Sequence, residues 1–334
     1  MQQVAINGLG RIGRLALRQL LTVPGLQVVA VNDLADVATL AHLLKYDSLH
    51  GQWQVPVAVD GPFLLLGDHR IRVFHEGHPS LIPFGASGAQ VVLECTGAFT
   101  RRSEAAAHLR DGVSHVLISA LAQGADRTVV LGINEGLLDP VHDRVLSAAC
   151  STTQCLAPVV QVLDTAFGLD YGFMTAVHSY TNDQRILDLP HEDLRLARAA
   201  TLSMIPVATP APQAVGDLLP HLAGRLDGLM VRVPTPDGSL LDLTATLRTD
   251  ITLEAVHGAF QKAAMEGPLA PYLAVLQAEL VSVDLVGTTA SAHYDPFLTK
   301  VLGPRMVKVF AWYDNELAYA ARLKDLCLHL LERL

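Results

Sequence analysis

A chain of 334 residues exceeds what one ordinary domain holds and suits two, each able to bury a sizeable core. Hydrophobic residues make up 50% and the mean hydropathy is +0.33, yet no stretch approaches the roughly 18 uninterrupted apolar residues of a spanning helix, so no membrane segment is expected. A net charge of -9, a pI near 5.8 and no run of Lys/Arg argue against nucleic acid as a partner and favour a small ligand. Met1-Gln2-Gln3 leads straight into Val4-Ala5-Ile6 without a leader pattern, and 4 cysteines are too few for a disulfide framework. Both features predict a cytoplasmic protein with reduced thiols.

Through residues 1–150, short β-branched runs alternate with helical patterns, the signature of βαβ units and a parallel sheet. The runs 4–6, 28–31, 91–93 and 116–118 read as buried strands, with Leu15, Leu17, Leu20 and Leu21 on the first crossover helix. From residue 151 longer strand candidates appear at 228–233, 240–247 and 306–313. A helix over 253–265 has Thr252 at its N-cap and Gly267 just past its end. The expected fold class is therefore α/β: a Rossmann-type parallel-sheet domain over 1–150, then an α+β catalytic domain with a mostly antiparallel or mixed sheet over 151–315. A C-terminal helix, 316–334, is expected to pack back on the first domain.

After the first strand comes Asn7-Gly8-Leu9-Gly10-Arg11-Ile12-Gly13-Arg14, which opens a helix. Gly8, Gly10 and Gly13 let backbone approach a pyrophosphate closely, and the helix N-terminus adds unpaired N–H groups and partial positive charge. Asp33 follows at the end of the second strand, where a carboxylate accepts both ribose hydroxyls and repels a 2′-phosphate. Strand, glycines, helix and acid in register predict NAD as cofactor, in preference to NADP.

The segment Ser147-Ala148-Ala149-Cys150-Ser151-Thr152-Thr153-Gln154-Cys155 precedes a helical pattern with apolar Leu156, Val159, Val160, Leu163 and Phe167. A nucleophile at a helix start sits in a positive field, which favours a cysteine thiolate. Farther on, His178 ends an apolar run and begins His178-Ser179-Tyr180-Thr181-Asn182-Asp183-Gln184. It is the candidate base, although a histidine in such a place also serves purely structural ends.

The segments NGLGRIGR, VNDL, LLKYDSLHG, LECTGAFT, STTQCLAP, HSYTNDQRILDLPHEDL, VRVPTPDGSLLDLT and WYDNE run in order along almost the whole chain. In combination they closely resemble the glyceraldehyde-3-phosphate dehydrogenase family, phosphorylating type, and its relative erythrose-4-phosphate dehydrogenase. That resemblance implies a glycolytic oxidoreductase of carbohydrate metabolism, a homotetramer that oxidises a small phosphorylated aldehyde with NAD through a covalent hemiacetal and acyl-enzyme. By position it assigns His178 as the base, Thr181 and Arg232 to the substrate's phosphate, and Asn315 with Tyr319 to the nicotinamide carboxamide. It places Arg11 and Ile12 at the pyrophosphate turn, Thr96 and Ser119 on the nicotinamide side, and Leu189 with Pro190 on the adenosine side of a neighbouring subunit.

The nucleophile segment departs from the family's Ser-Cys-Thr-Thr-Asn-Cys. Aligned on Thr152-Thr153 and Cys155, Ser151 stands where the catalytic cysteine belongs, at the family's spacing to His178, and Cys150 lies one residue early. The positions that bind the attacking phosphate are altered too, holding Cys150, Thr152, Thr209 with Pro210, and Leu196. Three readings stay open. The backbone slips by one residue at the helix start and Cys150 acts as the nucleophile of an ordinary though weaker dehydrogenase; or a phosphorylated aldose, of the erythrose-4-phosphate type, is oxidised and the acid released by water; or the chain is a weak or inactive NAD-binding member with a regulatory or oligomer-partner role. Cys95, Cys155 and Cys327 read as packing, and His42, His50, His69, His75 and His78 lack any ligand spacing, so no metal is expected.

Overall fold

The β-branched runs of the first half bury both faces: Val4, Ala5, Ile6, Val91, Val92 and Leu93 have no exposed surface, as a parallel sheet covered on both sides demands. The computed structural model describes residues 1–334, which divide into two units. The first comprises Met1–Val129, Gly136–Ala149 and Ala320–Leu334, and the second Val130–Glu135 and Cys150–Tyr319.

In the first unit, strand β1 (Gln2–Asn7) leads through helix α1 (Arg11–Leu20) to strand β2 (Leu26–Asn32). β1 pairs in parallel with β2 on one side and with Val91–Glu94 on the other. Strand order therefore reverses at β1, and such a switch point opens a ligand crevice at the carboxyl ends of the strands. His115–Ile118, Val145–Ser147 and Arg127–Thr128 extend one flank in parallel. The other flank differs from the all-parallel expectation. His69–Phe74 pairs in parallel with β2, but Phe63–Leu66 and Val57–Asp60 follow as antiparallel hairpin strands. Their connections are two residues each, too short for a crossover, and Gly61 and Gly67 supply the positive φ such turns need. α1 buries Leu15, Ala16, Leu17 and Leu20, so truncating one of these leucines to Ala removes about 2–5 kcal/mol. Near the C-terminus, the Leu331 carbonyl accepts from Gln2 Nε2 at 3.0 Å.

The second unit carries a seven-stranded mixed sheet. Its central strand Leu169–Ser179 runs parallel to Leu226–Val233 and antiparallel to Ser239–Leu247, which pairs in turn with Met306–Tyr313. Helix Ser151–Phe167 buries Leu156, Val159, Val160 and Leu163 completely within this unit. Helix Leu253–Met265 begins where Thr252 Oγ1 accepts from the Ala255 N–H at 3.1 Å, and Gly267 follows its end at φ +80°.

Candidate active site

Three glycines of the loop after β1 meet three different demands. Gly8 has φ +91°, and a Cβ there would lie 2.8 Å from the Thr96 backbone. One on Gly13 would lie 1.9 Å from the Gly8 carbonyl oxygen. Gly10 caps α1, and a Cβ on it would meet no protein atom within 4 Å. Bare backbone thus faces open space at a helix N-terminus, the arrangement that takes phosphate oxygens. Asp33 Oδ2 accepts from Leu9 N–H at 2.8 Å and Oδ1 from Ala35 N–H at 3.0 Å, which ties the acid to this loop and leaves its outer lone pairs for hydroxyl donors. Arg11 is drawn aside to Asp47 at 2.6 Å, while Ile12 is half-buried on α1. The donor set and the space on the Gly10 side fit a dinucleotide.

Beneath the loop lies a buried polar network that sequence reasoning did not anticipate. Glu94 Oε2 accepts from Asn7 Nδ2 at 2.6 Å and faces His108 Nε2 at 3.1 Å. Its other oxygen accepts from Thr96 N–H at 2.9 Å and from the Thr96 hydroxyl. Asn32 continues the chain, donating to Asn7 Oδ1 at 2.9 Å and bonding Glu76 through its amide. Ser119 bonds the Cys95 thiol, which burial pushes up to about 12, so Cys95 stays a protonated packing group.

The candidate nucleophile segment is a strand-to-helix turn between Val145–Ser147 and Ser151–Phe167. Ala149 holds φ +56°, strained for a residue with a Cβ and costing on the order of 1 kcal/mol. Cys150 is then the N-cap of helix Ser151–Phe167, with Sγ 3.2 Å from Thr153 Oγ1. Ser151 is the first helical residue. Thr152 is buried and bonds the Tyr313 hydroxyl at 3.0 Å.

His178 is 4% exposed near the end of its strand. Its Nδ1 lies 2.7 Å from the Ser179 carbonyl oxygen and 2.8 Å from Arg232 Nη1, and Arg232 Nη1 is 3.2 Å from that same oxygen. The Tyr313 ring meets the imidazole edge-on at 5.9 Å. Burial first, then the Arg232 charge, push the His178 pKa down to about 3, so the ring is neutral at physiological pH. Arg232 feels Asp183, Tyr313 and Cys150, and its Nε is buried without a hydrogen-bond partner. A partly sequestered guanidinium with an unmet donor suits an anion.

The remaining residues divide by place. Asn315 is buried and its Oδ1 accepts from Ser239 Oγ at 2.7 Å, so the oxygen is engaged and the amide nitrogen is the end left to donate. Tyr319 is buried. The Thr181 hydroxyl bonds Asp183 and its N–H bonds Gln184 Oε1 at 3.1 Å. Thr209 Oγ1 accepts from Ala211 N–H at 3.3 Å beside Pro210, the N-cap of helix Ala211–Leu218. Leu189 and Pro190 lie on an exposed segment away from any of these groups' hydrogen bonds, with Leu189 N–H on Ala197 O.

A dinucleotide-binding sheet joined to a unit with a helix-start thiol, a buried neutral imidazole and an anion-seeking arginine defines an NAD-dependent dehydrogenase. Comparison with known proteins agrees. Residues 2–102 match the family model for the glyceraldehyde 3-phosphate dehydrogenase NAD binding domain, and 149–315 its C-terminal domain. The glyceraldehyde-3-phosphate dehydrogenase of Geobacillus stearothermophilus is 49% identical over 331 residues, 99% of this chain and 98% of that protein. Glyceraldehyde-3-phosphate dehydrogenase 1 of Bacillus subtilis is 47% identical, again over 99% and 98%. The Streptomyces coelicolor enzyme is 46% identical over 97% of both chains. The chain belongs to the glyceraldehyde-3-phosphate dehydrogenase family, and NAD is its cofactor.

Proposed function

We propose that this chain oxidises glyceraldehyde 3-phosphate with NAD, through a hemiacetal and an acyl-enzyme on Cys150. The observation that carries the reading is the buried, neutral His178 fixed beside Arg232 in the same unit as the Cys150 sulfur. Gly8, Gly10, Gly13 and Asp33 would hold the dinucleotide, with Thr96 and Ser119 toward its nicotinamide end; Asn315 and Tyr319 are given to the carboxamide by the family resemblance alone. When bound, NAD supplies the hydride acceptor.

The chain's own residues do the rest. Cys150 sulfur attacks the aldehyde carbon, and His178 Nε2 takes the thiol proton and then holds the hemiacetal oxygen. Arg232 and Thr181 anchor the substrate's phosphate. A thiol is favoured over the Ser151 hydroxyl because sulfur is intrinsically the stronger nucleophile and a thioester the better acyl donor. Ser151 is the second reading, supported by its alignment with the family's cysteine.

The acyl group passes to inorganic phosphate or to water. Leu196 without charge and Pro210 without an N–H speak for water. Exposed Ile186, Leu187, Leu194, Leu202 and Met204, on the segment that holds Leu189 and Pro190, support a homo-oligomer, the tetramer, in which a second copy covers them. Four unpaired cysteines fit the reducing cytoplasm. Purified protein with NAD should form NADH from glyceraldehyde 3-phosphate. Comparing erythrose 4-phosphate, and omitting inorganic phosphate, assigns the substrate and the acyl acceptor; no NADH from either aldehyde defeats the reading.

A further inference from the structure

Three atoms in the second unit stand closer together than their hydrogens allow. His178 Nδ1, the Ser179 carbonyl oxygen and Arg232 Nη1 form a triangle with sides of 2.7, 2.8 and 3.2 Å. A neutral imidazole nitrogen is either a donor or an acceptor. If Nδ1 carries the proton, it serves the carbonyl but opposes the Arg232 N–H. If Nδ1 is bare, Arg232 serves both neighbours but Nδ1 and the carbonyl face each other lone pair to lone pair. One side is always mispaired. Arginine does not deprotonate, and an N–H of a permanent cation directed at Nδ1 selects the bare nitrogen, which leaves the proton on Nε2. An imidazole protonated at Nε2 cannot take a proton there.

We propose that an anion drawn to Arg232 switches on the base: it removes Nη1 from Nδ1, so that Nδ1–H donates to the Ser179 carbonyl and Nε2 is left bare to accept a proton. Water carries the proton from one ring nitrogen to the other, so the change is a tautomer exchange with no net transfer. The proposal rests on the reading of Arg232 as the anchor of the substrate's phosphate. Under it the phosphate also licenses the chemistry, and an aldehyde without one meets a base in the wrong tautomer. Arg232 is then a specificity-determining residue through His178. The other groups facing the pair do not relieve the mispairing. Asp183 acts on both residues only through its charge, its Oδ1 being engaged by the Thr181 hydroxyl, and Tyr313 and Cys150 act on Arg232 as electrostatic neighbours.

The tautomer is readable in protein carrying ¹⁵N-histidine, with the His178 signals assigned through His178→Gln. Alone, the wild-type ring should show Nε2–H; with phosphite, a tetrahedral dianion, it should show Nδ1–H. Arg232→Gln, and Arg232→Ala should the first fold poorly, should show Nδ1–H throughout and ignore phosphite. A wild-type ring already protonated at Nδ1, or one that does not respond to phosphite, overturns the proposal. Kinetics give an independent reading with glyceraldehyde lacking phosphate: Arg232→Gln should form NADH faster than wild type, and phosphite should accelerate wild type by about 100-fold, the lower end of what a placed base contributes. Equal rates in variant and wild type reduce Arg232 to a simple anchor. Absence of NADH from glyceraldehyde 3-phosphate in wild type counts against the functional reading and leaves the tautomer result to judge this one.

Discussion

Arg232 is the register partner of His178 in the parallel pair of Leu169–Ser179 and Leu226–Val233, and its Nη1 stands 2.8 Å from the imidazole. Adjacent parallel strands set the two Cα atoms side by side through their backbone ladder, so the guanidinium and the imidazole are neighbours by register. Burial keeps His178 neutral, with a measurable consequence.

His178 titrates at about 3 in the folded chain against about 6.5 unfolded, so between those values the unfolded state binds one more proton. Its contribution is present in full above pH 6.5 and is lost as pH falls toward 3, at about 1.4 kcal/mol per unit. Urea unfolding of wild type and His178→Gln from pH 7 to pH 5 should show the wild type losing stability faster. Parallel pH profiles would contradict the burial of a neutral ring.

Glu94 is a buried carboxylate that gathers donors from Asn7, Thr96 and His108. Glu94→Ala removes the acceptor those groups share, and leaving buried hydrogen-bonding groups unsatisfied costs about 1–3 kcal/mol. Thermal unfolding should record the loss, and because Thr96 borders the glycine loop, NAD affinity should fall with it. A variant as stable as wild type would show that the network contributes nothing.

Asp33 is held by two backbone N–H groups and presents a charged acceptor. Asp33→Asn should weaken NAD binding by about 1.5–3 kcal/mol, roughly 10- to 150-fold in Kd, and narrow the gap to NADP. Fluorescence titration with both cofactors checks this; unchanged selectivity would separate Asp33 from ribose recognition.

Asp237 accepts from the Gly238 and Asn315 N–H groups at 2.8 and 3.2 Å, and burial followed by the Asp314 charge raises its pKa to about 8. Folded Asp237 holds a proton that the unfolded chain releases above about 4, so its contribution declines as pH climbs from 4 to 8. Asp237→Asn keeps an acceptor oxygen and removes the charge. It should raise stability at pH 8 by about 1–2 kcal/mol and flatten the alkaline slope. A lower Tm at pH 8 would reject this.

The glycine loop, Asp33, the helix Leu253–Met265 with its Thr252 cap, and the strand Met306–Tyr313 were all legible because each is a local pattern: a period, a cap or a fixed offset along the chain. The Glu94 network was not. Asn7 and Glu94 are 87 positions apart and meet only when β1 pairs with Val91–Glu94. The antiparallel hairpins at 57–74 were missed because their apolar runs carry no helix between them to mark a crossover. The mispaired triangle at His178 was hidden for a third reason: sequence supplies the residue types, but ring-nitrogen roles follow from distances set by strand register.

The chemistry turns on which side chain attacks. NADH formation from glyceraldehyde 3-phosphate should be measured for wild type, Cys150→Ala and Ser151→Ala under one set of conditions. If the Cys150 thiol is the nucleophile, Cys150→Ala loses about 10³-fold or more in kcat, while Ser151→Ala stays within about tenfold of wild type. An active Cys150→Ala beside a dead Ser151→Ala would contradict the assignment.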